Sequence, residues 1–143
     1  MMHTKKQYKR GDVVLVLFPN SDLRTAKLRP SLIVQADNLE TDLSQVIVAM
    51  ISSNISPAGH SSRIFLKLNS PEGLQSGLLA DSVVMTDNLA TISERVIDRV
   101  IGDLQMQDVD NALIYTLGLR ACLKIIYNAA ASFQLMQYKP YFL

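Results

Sequence analysis

RVIGDLQMQDVDNALIYTLGL (residues 99–119) changes its period partway along. RVIGDL (99–104) has the apolar, β-branched texture of a strand. From Gln105 onward Met106, Val109, Ala112, Leu113, Thr116 and Leu117 recur every three or four residues, the period of a helix with one apolar face. Asp108 and Asp110 fall in its first turns, where negative charge suits the helix dipole. Gly118 follows as the residue that ends it. The stretch predicts a last strand followed by one helix over 105–118.

Working back from Arg99, every other apolar run is short. VVLVLF (13–18) is opened by Gly11-Asp12 and closed by Pro19-Asn20-Ser21-Asp22. SLIVQ (31–35) predicts a second strand. QVIVAMI (45–51) does not alternate and predicts a strand buried on both faces. RIFLKL (63–68) and ADSVVMT (80–86) complete the series. NSPEGLQSG (69–77) holds a proline and two glycines and reads as a turn, and Ser93 can cap a short turn ending near Ile97. Short strands closed by one helix imply a small, curled, mostly antiparallel barrel of five to seven strands with a helix packed on it.

Within that series KLRPSLIV (27–34) stands out. Pro30 has no N–H for a ladder and is expected at the first residue of its strand or on an edge, which pins Arg29 at the strand mouth. Charge is uneven around it. Residues 1–30 carry seven basic and two acidic residues, +5, and the rest seven basic and eleven acidic, −4. Such a split lets one end bind an anionic polymer. Lys5 to Arg10 read as a solvated tail; Arg24, Lys27 and Arg29 lie between two strands.

The totals exclude several classes. A chain of 143 residues, 48% hydrophobic, can bury one domain core. No apolar run is long enough for a membrane helix, and VVLVLF, with Asp12 before it, is too short for a secretory signal, so a cytoplasmic protein with no membrane partner is expected. The single Cys122 excludes an internal disulfide and a cysteine metal cluster, and His3 and His60 lack ligand spacing, so no metal is expected. There is no nucleophile elbow, phosphate loop or Gly-rich dinucleotide turn, and no cofactor is implied. Residues 1–119 read as the domain. The extension 120–143 could be a second packed helix, a partner-binding segment or a foreign appendage.

Five stretches in order, KRGDVVLVLFP (9–19), KLRPSLIV (27–34), VIVAMISSN (46–54), SGLLADSVVMTDNLATIS (76–93) and IGDLQMQDVDNAL (101–113) with LGL (117–119), resemble the MazF/PemK family of toxin–antitoxin mRNA-cleaving toxins. The resemblance covers about residues 9–119. It implies a small SH3-like, CcdB/PemK-type antiparallel β-barrel with a C-terminal helix. It also implies a homodimer, a cognate antitoxin, and metal-independent cleavage of single-stranded RNA by attack of a 2′-hydroxyl on its own 3′-phosphate. Carried onto this chain, the family's catalytic arginine falls on Arg29 and its threonine or serine on Ser52. Leu15 stands near the place of a first-strand aromatic. A guanidinium can meet two oxygens of the pentavalent phosphorus at once, and a serine hydroxyl can donate to a third or orient the 2′-hydroxyl. Arg24, Lys27, Ser53, Asn54, Asp81 and Asn88 are expected to contact RNA, and Asp81 or His60 could serve as base. A non-catalytic, gyrase-poison-like toxin of the same fold, or an inactive member that only binds antitoxin, are the competing expectations.

Overall fold

A computed structural model describes residues 7–119. Six strands, β1 (Asp12–Pro19), β2 (Ala26–Ile33), β3 (Gln45–Ser52), β4 (Arg63–Leu66), β5 (Ser82–Ser93) and β6 (Ile97–Asp103), form one antiparallel sheet in the order β4-β5-β3-β2-β1-β6. Two α-helices, α1 (Pro71–Gln75) and α2 (Gln107–Leu117), accompany the sheet. Helix α2 ends where the sequence predicts: Gly118 adopts φ 71°, and the N–H groups of Gly118 and Leu119 return to the carbonyls of Tyr115 and Ile114. Ser93 caps the 3-10 turn Glu94–Val96.

The sheet is curled but not closed, because its end strands β4 and β6 do not pair. Backbone contact joins β6 instead to the end of α1 and the segment that follows it. Gly77, at φ 71°, lies against the Ile101 carbonyl, and Gly102 lies against the Gln75 carbonyl. A Cβ at either position would overlap main chain, so the segment after α1 can cross β6 only on glycines.

Four details differ from expectation. Pro30 does not open its strand: β2 starts at Ala26, and Pro30 pairs with Leu15. Pairing with β3 begins only at Ser31, so the missing N–H falls where β2 has a partner on one side alone. The strand also ends two residues early, because the Gln35 side chain accepts from the Ile47 N–H and takes over a rung. The 69–77 turn contains the single-turn helix α1, started by Pro71 and capped by the Ser70 hydroxyl. Finally, β5 runs on past Thr86. Ala49 faces Leu89 while Met50 faces Met85, so residues 86–88 bulge out of the β3 ladder.

Two apolar clusters fill the two faces. Val13, Leu32, Ala49, Ile51, Leu66 and Val84 meet Val109 and Leu113 of α2. Val14, Val16, Ile33, Val46, Val48, Ile92 and Ile97 form the other with Tyr8. Neighbours Val13 and Val14 divide between them, as do Leu32 and Ile33, as a pleated strand requires. The second cluster draws on β1, β2, β3, β5 and β6, so the sheet wraps around it.

The basic tail expected over Lys5–Arg10 is corrected at its end. Arg10 Nη2 sits 2.6 Å from Asp110 Oδ1 and Nε donates to the Val34 carbonyl, and Tyr8 is buried. Arg10 thus fastens the start of the chain to α2; Lys5 and Lys6 lie outside the described residues, as does the 120–143 extension. None of the described helices is long and apolar enough to cross a membrane.

Candidate functional site: the rim where β2 leaves β3

The far half of the β1–β2 hairpin extends beyond β3. Lys27 faces Phe18, Leu28 faces Leu17 and Arg29 faces Val16. Alternation puts Lys27 and Arg29 on one face of this arm and Leu17 and Leu28 on the other. The turn at its tip is held by Asp22, whose carboxylate accepts the N–H groups of Arg24 and Thr25 and the Thr25 hydroxyl. The Thr25 backbone bond, followed by that of Arg24, holds the Asp22 carboxyl below its ordinary range. Arg24 therefore projects from an ordered turn. Among the described residues, the charged groups of Arg24, Lys27 and Arg29 have no ion-pair partner.

Across the ladder, Ser31 faces Met50, Leu32 faces Ala49 and Ile33 faces Val48. Carried two residues past Ser31, this register sets Arg29 across from Ser52, on one face of the sheet. Arg29 lies two residues from Ser31, and Ser52 two residues from Met50, so both side chains share the face of the Ser31–Met50 pair. That pair touches, with Ser31 Oγ 3.7 Å from Met50 Sδ. Arg29 and Ser52 do not hydrogen-bond to each other; each lies two residues beyond the last β2–β3 pair.

Ser52 is also shaped by the loop it starts. Its Oγ accepts the Asn54 N–H at 3.1 Å, and Asn54 Oδ1 accepts the Ser56 N–H at 3.2 Å. The first of these side-chain turns occupies an acceptor position of Ser52 and leaves its O–H available as a donor. Ser53 and Asn54 are exposed beside it.

The remaining expected residues divide. Asp81 lies two residues before Val83, the β5 residue facing Ser52, and Asp81 Oδ1 accepts the Leu68 N–H at 2.7 Å, which ties off the β4–β5 connection. Asn88 sits in the bulge, between Met85, which faces Met50, and Leu89, which faces Ala49. His60 turns toward α2: Nδ1 is 2.7 Å from Ser62 Oγ, and the ring meets Tyr115 edge-on at 5.9 Å.

Two groupings escape sequence reading. Thr86 is fully buried, donates to the Ser62 carbonyl and shares a 2.7 Å bond with the Thr116 hydroxyl. Arg63 grips Asp87 with Nη2 at 2.9 Å and holds that carboxyl below its ordinary range. Both depend on the β5 bulge, which redirects residues 86–88 toward β4, and no local pattern announces a bulge.

Solved structures of similar architecture were found. An endoribonuclease in complex with its cognate antitoxin, from mycobacterial species, superposes with a TM-score of 0.58 at 18% identity, covering 78% of this chain and 96% of that one. The MazE–MazF complex from Deinococcus radiodurans (Form II) gives 0.60 at 14% identity, covering 79% and 97%. The Mycobacterium tuberculosis toxin MazF-mt6 gives 0.55 at 26% identity, covering 75% and 92%. At such identities the first two speak for the fold. The family described as PemK-like, MazF-like toxin of type II toxin–antitoxin system matches this chain over residues 9–117. With most of the chain matched and the fold shared, the chain belongs to the PemK-like, MazF-like toxins of type II toxin–antitoxin systems.

Proposed function

We propose that this toxin is a metal-independent endoribonuclease that cuts single-stranded RNA at selected sequences, with Arg29 and Ser52 acting on one phosphate. The reading is supported by the Ser31–Met50 register, which when extended by two residues sets Arg29 opposite Ser52, and by an Arg29 guanidinium that has no ion-pair partner among the described residues. In the reaction the 2′-oxygen bonds to the adjacent phosphorus and the bond to the 5′-oxygen breaks. The products are a 2′,3′-cyclic phosphate and a 5′-hydroxyl. Arginine keeps its proton at working pH, so Arg29 neutralises charge on the phosphoryl oxygens and is not the base. Ser52 donates its hydroxyl to a phosphoryl oxygen or orients the 2′-hydroxyl. Lys27 and Arg24 continue the positive face of the arm along the RNA backbone, and Ser53 and Asn54 meet base edges.

The same reading takes the working form as a cytoplasmic homodimer silenced by a cognate antitoxin. The similar mycobacterial and Deinococcus structures include antitoxin and MazE complexes, and Leu17 and Leu28 pair on the arm's other face while 46% and 38% exposed. Incubating the purified protein with a long single-stranded RNA in EDTA tests the reading. Cleavage at a few sites leaving cyclic phosphate ends is expected, with no cutting where the 2′-hydroxyl is replaced by hydrogen. Intact RNA, or cleavage only with added magnesium, would move the assignment to a toxin that acts by binding protein.

A further inference from the structure

Ser52 opens a ten-residue loop, 53–62, that ends at Arg63, the first residue of β4. Along this loop the bonds form a relay. Asn54 N–H goes to Ser52 Oγ, Ser56 N–H to Asn54 Oδ1, Ala58 N–H to the Ile55 carbonyl, and Arg63 N–H to the His60 carbonyl. The Arg63 side chain closes the relay. Nη1 donates to the Pro57 carbonyl at 3.1 Å, while Nη2 and Nε grip Asp87 at 2.9 and 3.4 Å. The Arg63 side chain is only 26% exposed. A lysine could keep the charge pairing with Asp87 but could not also hold Pro57, because it lacks the planar fork.

We infer that Arg63 is a positioning residue: by holding Pro57 to Asp87 it fixes loop 53–62 in the shape that presents Ser53 and Asn54 to RNA. The inference rests on the ribonuclease reading for its substrate, although the clamp itself can be observed without any RNA. Arg63 lies at the start of β4, whereas the strand's other end, Leu66, faces Ser82 at the Asp81 rim, so it acts on RNA through the loop and not by contact.

The experiment compares wild type, Arg63→Lys and the swapped pair Arg63→Asp/Asp87→Arg. Hydrogen exchange of the amides of Asn54, Ser56 and Ala58 is followed together with the KM and kcat for a cleavable RNA oligonucleotide. Arg63→Lys should speed loop exchange and raise KM roughly tenfold, the loss of about one charge-assisted hydrogen bond, with kcat changed much less. The swapped pair should regain thermal stability and not KM, since a carboxylate in place of the Arg63 guanidinium cannot donate to the Pro57 carbonyl. Unchanged exchange in Arg63→Lys, or recovery of KM by the swap, would overturn the positioning role. RNA left intact by wild type would remove the ribonuclease reading, and the exchange rates alone would then decide whether the clamp exists.

Discussion

Arg29 stands at a position on β2 that pairs with β1 and has no β3 partner, so its side chain can change without opening the core. Arg29→Ala should lower RNA cleavage on the order of 10²- to 10³-fold, the usual loss for a preorganised donor at developing negative charge, with an unaltered circular dichroism spectrum. Arg29→Lys should be nearly as poor, because an ammonium cannot make the two-pronged contact. Ser52→Ala should fall between wild type and Arg29→Ala, since a neutral donor is lost; it also removes the acceptor for Asn54, so faster exchange of that amide should accompany it. Ser52→Thr should retain activity. Asp87 supplies a pH test. The Arg63 hydrogen bond lowers its pKa from the ordinary 3.8, outweighing the opposing effect of burial. A depressed folded value means the contribution to stability is complete above the ordinary pKa and fades as pH falls through the lower one. The melting-temperature gap between wild type and Asp87→Asn should therefore be flat near neutrality and close below about pH 4. Both groups are partly exposed, so the gap should also shrink with salt.

Elements are legible where one local rule suffices. The 3.6-residue spacing after Gln105 and Gly118 mark α2 within two residues at its start and one at its end. The apolar runs mark all six strands. Pro30 escapes the rule that proline opens strands, because that rule says nothing about which side of a strand has a partner. Here the answer depends on β3, a later segment of the chain. The β1–β2 turn shows a similar limit. Leu23 is 82% exposed at φ 57°, a left-handed conformation that a branched side chain adopts at a cost. Leu23→Asn should stabilise the hairpin by about 0.5 kcal/mol, seen as a small rise in melting temperature. The opposite sign would show that Leu23 is held by a contact that this conformation serves. At the sheet's open seam the expected effect is much larger. Gly102→Ala would drive a Cβ into the backbone of Gln75 and Ser76, and the variant should be severely destabilised or insoluble.

At the scale of the molecule, what the sequence withholds is long-range: Arg10 meets Asp110 a hundred positions away, and Thr86 meets Thr116. Charge and hydroxyl content show that such residues exist, not which of them meet, because the meeting depends on sheet order. The arm has a consequence at this scale as well. One face carries Lys27 and Arg29 beside their partners Phe18 and Val16, and the other carries the exposed Leu17–Leu28 pair. An apolar cross-strand pair left in water on a projecting hairpin is a natural seat for a second chain, on the side away from Lys27 and Arg29. Sedimentation at micromolar concentration should show a dimer. Leu17→Glu should shift it to monomer without lowering the monomer's stability by more than about 0.5 kcal/mol, since the side chain is already half in water. Removing residues 120–143 should leave association unchanged if the arm supplies the contact. A dimer that survives Leu17→Glu and dissociates on that truncation would assign the interface to the C-terminal segment instead.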